Sequence, residues 1–424
     1  MARIKADYIR LNELVRLRDA IQRDLRIWEE DYRQARLETP HFERCLNTST
    51  RRMSGSGEKA SLQFAGGKGG KVCLQTTVFI PKMKTTTSRP RQDGDIQSKL
   101  NVAYKTIQIY FKTPLPVAKI DVIAIPDLPS VRYVSTCGML IVREAELLKN
   151  GVFDISRELI YQWIGIWITP DWWTDAKVNK ALISFIASEI VTEINDGVEF
   201  NGKYPMTILY SLYYELSKRY PHSRITGMKQ ESTSFKVELV IRMLRLSLGE
   251  HTFKIAIQRL ICDHKFNTYK AVDLWNVISE QAKEDNTLDS KLSILNIAES
   301  WLQQSRLPLI TITRDYNLGT ANIQQKVYLR ERPHDVPEQD KMLWWIPIAL
   351  VRQDTLNFLK YSPYTWINKT KQTTIFNMPS QTKFIIANQE EIGPFPVNYD
   401  DKNWNMLQIF LRTDAGREST PVYT

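Results

Sequence analysis

The 424-residue sequence has little of what builds metal sites, disulfide frameworks or membrane spans. Its four cysteines, Cys45, Cys73, Cys137 and Cys262, are too scattered for a C-x-x-C knuckle or a dense disulfide framework. The five histidines, His41, His222, His251, His264 and His334, are equally dispersed. Cys262-Asp263-His264 comes nearest to a ligand cluster, and on a helical segment it reads as packing plus surface. The most apolar run, "LIYQWIGIWI", is half the ~20 residues of a membrane span. The opening "MARIKADYIRLNELVRLRDAIQ" is interrupted by charge every few residues, unlike the apolar core of a signal peptide. The sequence as it stands therefore predicts no membrane span and no export signal, and it leaves the compartment open. Two sequons, at Asn47 and Asn368, would matter only in a secreted chain.

What is present describes a folded protein. With 43% hydrophobic and 25% charged residues, the chain can bury at least two cores at ~100 to 200 residues per domain. The net charge of +10 is concentrated at one end: residues 1–100 hold 20 basic and 12 acidic side chains, the remainder 37 and 35. The signs are mixed and no nucleic-acid motif accompanies them. The basic segment therefore reads as a solvated helix and a loose linker, and no nucleic-acid partner is expected.

Residues 1–46 carry one apolar stripe, Leu14, Leu17, Ile21, Leu25, Trp28 and Tyr32, at three- and four-residue steps, which predicts a charged amphipathic helix that needs a partner. Residues 47–100, rich in Ser, Thr, Gly, Lys and Pro, read as a flexible basic linker. "GGKGGK" lacks the spacing of a phosphate loop. Order returns with a helical pattern over Val102 to Phe111, a buried strand "IDVIAI" ending at Pro126, the strand-like "MLIVRE", and one long helical region from about Ile155 to Ile194. Helices continue through "PMTILYSLYYELSKRY", "SFKVELVIRMLRLSLGE", "HTFKIAIQRLICDH" and "AVDLWNVISEQAKE" to Trp301. After Pro308 the period changes to two, and "LITITRDY", "QQKVYLRE", "LWWIPIALV", "TTIFNM" and "TKFIIAN" read as the strands of a small β-sandwich. The fold class is α+β.

One stretch, "RELIYQWIGIWITPDWWTDAKVNKALISF" from Arg157 to Phe185, is similar to the HELAHQW-x-G-x-x-x-T-x-x-WW-x-D-x-x-x-NE pattern of the aminopeptidase N family of gluzincin zinc metallopeptidases. Gln162, Trp163, Gly165, Thr169, Trp172, Trp173, Asp175 and Asn179 stand at their family positions without a gap. "KIDVIAIPDLP" and "GMLIVRE" upstream, and "ESWLQQSRLPLITITRDY", "LWWIPIALV" and "GPFPVNYDDKNW" downstream, resemble further family landmarks. The resemblance implies a thermolysin-like, mainly helical peptidase-type domain at 101–304, a β-sandwich at 305–398, and a truncated start of a C-terminal helical domain at 399–424. The family's large N-terminal β-domain is expected to be missing.

The resemblance also implies where chemistry would lie. Zinc, the family cofactor, lowers the pKa of a bound water, and a Glu in H-E-x-x-H takes its proton. The three ligand positions here are Arg157, Tyr161 and Lys180, so no metal is expected to bind. The general-base position keeps Glu158, expected as a vestigial base in a salt bridge with Arg157 or Lys180. The amine-anchoring loop corresponds to Arg132, Tyr133, Val134, Ser135 and Thr136, without an acid, and the oxyanion tyrosine falls on Ser234. Trp163, Trp172, Trp173, Gly165 and Asn179 read as packing or backbone-geometry positions, core more than cleft. Three functions stand beside one another: a pseudo-peptidase with a binding or scaffold role toward an unidentified peptide or protein; an active zinc aminopeptidase or other hydrolase working through Glu158; and a partial or fused gene product.

Overall fold

A computed structural model describes residues 90–117, 120–125, 133–143, 146, 152–194, 204, 207, 208, 211, 232–304, 306–328, 341–358 and 360–413. The expected N-terminal helix, most of the linker, Cys45, Cys73, His41, His222, His334 and Arg132 lie outside them, as does most of "PMTILYSLYYELSKRY". The contacts divide the chain into two units, residues 1–96 with 117–151 and residues 97–116 with 152–424.

In the first unit the described strands form one sheet. β1 (Asp121–Ile125) runs parallel to β3 (Met139–Arg143), and β2 (Tyr133–Thr136) pairs antiparallel with β3 through a turn at Cys137 and Gly138. Val122, Leu140 and Val142 are buried, one face of a sheet whose side chains alternate.

The second unit begins within α1 (Pro90–Phe111), a helix that opens with proline at its first position, where the missing N–H costs nothing. Residues 90–100, expected as linker, are thus helical. α2 (Val152–Tyr161), α3 (Trp173–Ile194), α4 (Ser232–Leu248), α5 (Glu250–Asp263), α6 (Ala271–Glu284) and α7 (Ile294–Leu302) follow. α3 is apolar on most of its circumference, with Leu182, Phe185, Ile186, Ala187 and Ile190 all buried, and it packs against α2 and α4, as a helix without a polar face must. The continuous helix expected over Ile155 to Ile194 is interrupted from Gln162 to Trp172. The chain turns there at Gly165 and passes through a short strand, β4 (Thr169–Pro170), which pairs with β5 (Thr268–Tyr269).

Buried polar groups tie the helices together. Lys236, fully buried, donates from Nζ to the carbonyls of Gln304 and Arg306, each at 2.8 Å, joining α4 to the chain leaving α7. Arg245 Nε lies 2.7 Å from Glu189 Oε1, a carboxyl that burial pushes above its usual range.

The remaining elements are mainly strands. β6 (Pro308–Asp315) and β7 (Thr320–Val327) form a hairpin; β11 (Gln372–Ile375) pairs with β7, and β13 (Val397–Tyr399) runs parallel to β6. β8 (Trp345–Ile348) pairs with β10 (Thr365–Asn368), and β9 (Leu350–Arg352) with β12 (Ile385–Ala387). "LWWIPIALV", expected as one strand, is two, because the chain changes partner at Ala349. β7 starts four residues before "QQKVYLRE", directly after the Gly319 turn, whose φ of +64° suits glycine. α8 (Asp401–Leu411) closes the described chain, its N-terminus capped by Asp400, which accepts from the Asn403 N–H at 2.9 Å. The observed class is mixed helix and sheet, compatible with α+β.

Gln325 sits within β7, 4% exposed, and its side chain bonds the backbone of two other segments. Its Nε2 donates to the carbonyls of Trp344 and Thr370 at 3.1 and 2.8 Å, and its Oε1 accepts from the Trp344 N–H at 2.9 Å. Gln325→Leu, which keeps the volume, is expected to cost about 2–4 kcal/mol in chemical denaturation because it strands buried backbone groups; an unchanged midpoint would show that these bonds contribute nothing net.

Candidate functional site

α2 carries Arg157, Glu158 and Tyr161, with Ile155, Ser156, Leu159 and Ile160 buried on its inner side. Arg157 and Tyr161, four residues apart, share one face of the helix. Lys180 lies two turns into α3. The structure brings these four side chains together around a single cavity of about 570 Å³, further lined by Gly165, Thr169, Asp171, Trp172, Trp173, Asn179 and Ile183.

The turn between the helices is fixed by an aromatic anchor. Trp163, fully buried, packs against Tyr104 and Phe111 at centroid separations of 5.9 and 5.3 Å, and its Nε1 donates to the Thr113 carbonyl at 2.7 Å. Gly165 then adopts a φ of +155°, where L side chains rarely go, and a Cβ there would overlap the Tyr161 ring. The glycine is what gives the ring its place at the cavity wall.

Among the described residues the shortest ion-pair contacts at the cavity are centred on Arg157. Arg157 Nη2 lies 3.3 Å from Glu158 Oε1 and 3.5 Å from Asp154 Oδ1, the cation shared between two acids. Neighbours on a helix project ~100° apart, so the contact uses the length of the arginine stem. Burial first, and then the negative charge of Glu158, hold the Tyr161 phenol above the usual tyrosine range. Among the described residues no carboxylate stands within ion-pair distance of Lys180.

The other motif residues hold the frame. Asn179 accepts a 2.6 Å bond from the hydroxyl of Tyr269, whose pKa is driven far up, by burial and then by Asp175. Asp175 accepts from the Ala271 N–H at 2.9 Å, and Asp171 from the Thr268 hydroxyl at 3.0 Å, with Lys270 Nζ 3.9 Å away. These bonds fasten the start of α3 to β5 and α6.

Two aromatic expectations are corrected. Trp163 is core, but Trp172 and Trp173 are 66% and 71% exposed and line the cavity. They follow Pro170-Asp171 at the entry to α3, before the helix turns its apolar face inward. That placement at a helix start was the available signal. Cys262 and His264 serve locally: Cys262 Sγ is 3.7 Å from Thr113 Oγ1, and His264 Nδ1 is 3.2 Å from the Leu260 carbonyl. Among the described residues no group of three or more His, Cys, Asp or Glu could hold a metal ion. Ser234 lies in the first turn of α4, and Tyr133 to Thr136 form β2 in the other unit.

Residues 98–301 match the Peptidase family M1 domain. Aminopeptidase N of rabbit (Oryctolagus cuniculus) is 24% identical over 352 residues, covering 76% of this chain and 35% of the rabbit protein. Human aminopeptidase N is 24% identical over 330 residues, 72% of this chain and 33% of that protein. Human aminopeptidase Q is 23% identical over 355 residues. The chain is related to the aminopeptidase N family. It spans about a third of the length of the curated relatives it matches. The matched region contains α2, α3 and the whole lining of the cavity.

Gly165→Ala is expected to destabilise the chain by about 1–3 kcal/mol, because the new methyl group has nowhere to go while Tyr161 stays. In Tyr161→Ala the same substitution should cost visibly less. A double-mutant cycle in chemical denaturation with no coupling between the two sites would refute the close approach.

Proposed function

We propose that the chain is a non-catalytic aminopeptidase-like protein that uses the inherited cavity as a binding or scaffold site. The observation that carries this reading is the 3.3 Å contact between Arg157 and Glu158, inside the cavity where a zinc-bound water would have to meet the base. A guanidinium there supplies the positive charge that a metal would otherwise supply, and Glu158 becomes a vestigial general base with a fixed partner.

The donor set does not fit zinc. Arg157 has no lone pair to offer and stays cationic. Lys180 would have to give up a proton beside a dication. Tyr161 would have to bind as phenolate, which its burial and the neighbouring Glu158 both oppose. On this reading Ser234 takes the oxyanion tyrosine's position with too short a stem, and Arg132 with Tyr133, Val134, Ser135 and Thr136 takes that of the amine-anchoring loop without its acid. Residues 101–304 then correspond to a thermolysin-like peptidase-type domain, 305–398 to a β-sandwich, and 399–424 to the start of a helical domain.

Purified protein should contain substoichiometric zinc by elemental analysis and show no chelator-sensitive cleavage of alanyl or leucyl arylamides. One equivalent of zinc together with such turnover would overturn the proposal in favour of an active aminopeptidase.

A further inference from the structure

Among the described residues, one cation of the cavity wall, Lys180, has no acid within ion-pair distance. Glu158 lies against Arg157, and Asp171 has Lys270 Nζ at 3.9 Å and the Thr268 hydroxyl at 3.0 Å. Lys180, exposed on α3, has no described anionic partner. Arg157 meets its two acids through Nη2 alone; among the described residues Nε and Nη1 have no partner, and its side chain is 31% exposed. Trp172 and Trp173 stand beside these donors with 66% and 71% of their surface in water, a large apolar area to leave uncovered at a concave site.

We infer that the cavity binds a carboxylate flanked by a large apolar side chain, as peptides carry at a C-terminus that ends in an aromatic or branched residue, or at an internal acidic residue. The carboxylate takes the Lys180 ammonium and the unused donors of Arg157, and the apolar group lies on the two indoles. The inference rests on the reading of the cavity as a non-catalytic binding site and names its ligand class. Charge decides the sign of the ligand. An incoming ammonium would have to compete with Arg157 for Glu158 or with Lys270 for Asp171, whereas a carboxylate can meet the Lys180 ammonium without breaking a contact among the described residues. A volume of about 570 Å³ is in the range that holds a short peptide end.

The probes are N-acetyl-Ala-Phe as free acid, the same dipeptide as its C-terminal amide, and N-acetyl-Glu-Phe-amide, titrated into the full chain with tryptophan fluorescence and calorimetry as readouts. The acetyl group leaves no free amine, so binding is read apart from any aminopeptidase turnover. The free acid is expected to bind at least ~10-fold more tightly than the amide, the usual weight of a charge-assisted hydrogen bond. Lys180→Gln, at an exposed position that folding does not depend on, should abolish that preference. Trp172→Ala should weaken acid and amide alike. N-acetyl-Glu-Phe-amide binding as tightly as the free acid supports the inference and assigns the carboxylate to an internal residue; weaker binding assigns it to the C-terminus. Equal affinity for acid and amide, a preference that survives Lys180→Gln, or no binding of any probe at millimolar concentration overturns the inference. Zinc-dependent arylamide turnover would instead overturn the non-catalytic reading and leave the acid-over-amide comparison standing.

Discussion

The site depends on one buried indole. Trp163 fills the space beside Tyr104 and Phe111 and gives its N–H to the Thr113 carbonyl, so the chain leaving α2 is held at both an apolar and a polar point. Burying an indole without a partner for its N–H would forfeit part of the ~1.5–3 kcal/mol that burial of a large apolar side chain supplies. With that anchor set, the turn through Gly165 can bring Tyr161 against the backbone, and α3 can start where its first residues face the cavity and the next ones the core. Glu158 and Lys180 belong to different helices, and they line the same cavity because the Trp163 turn returns the chain to α2.

A second constraint works from the far side. The backbone entering α6 and the strand before it need partners, and the start of α3 offers Asn179, Asp175 and Asp171 for them. Asn179 and Asp175 accept bonds from the buried Tyr269 hydroxyl and the partly buried Ala271 N–H, groups for which loss of the partner is costly, while the Asp171–Thr268 bond is exposed to water. A shared sequence motif therefore does not by itself report chemistry here. Asn179, Asp175, Trp163 and Gly165 have visible structural work, independent of any metal.

How much of this was legible in the sequence follows from which forces are local. Apolar periodicity located α4, α5, α6, α7, β1, β3, β6 and β12, because burial of one face is written in consecutive residues. The break between α2 and α3 was not legible from period alone: "IYQWIGIWI" is apolar but for Gln162, and the geometry at Gly165 and the pairing of Thr169 with Thr268, ninety-nine residues apart in sequence, end the helix. β10 and β13 were missed for the same reason, being short segments recruited by partners distant in the chain. Of the site, the frame gave Arg157, Glu158, Tyr161 and Lys180 as neighbours, and these four do line one cavity. The exposure of Trp172 and Trp173 was misread, since tryptophan's preference for cores is an average that a helix's first turn need not obey.

The remaining step concerns charge. A half-buried carboxylate such as Glu158, 16% exposed, is costly without a countercharge, and the protein meets that cost with the residue next to it. Arg157 is divided between Glu158 and Asp154, at 3.3 and 3.5 Å, so neither pair is short and the guanidinium keeps donors facing outward. Partly exposed pairs of this kind contribute only ~0–1 kcal/mol to stability, which makes them a weak structural device but a serviceable electrostatic one. They partly offset the acids while leaving the cavity wall polar on one side and indole-lined on the other. In that setting the ammonium of Lys180, with no acid within ion-pair distance among the described residues, presents a positive point charge beside an apolar surface.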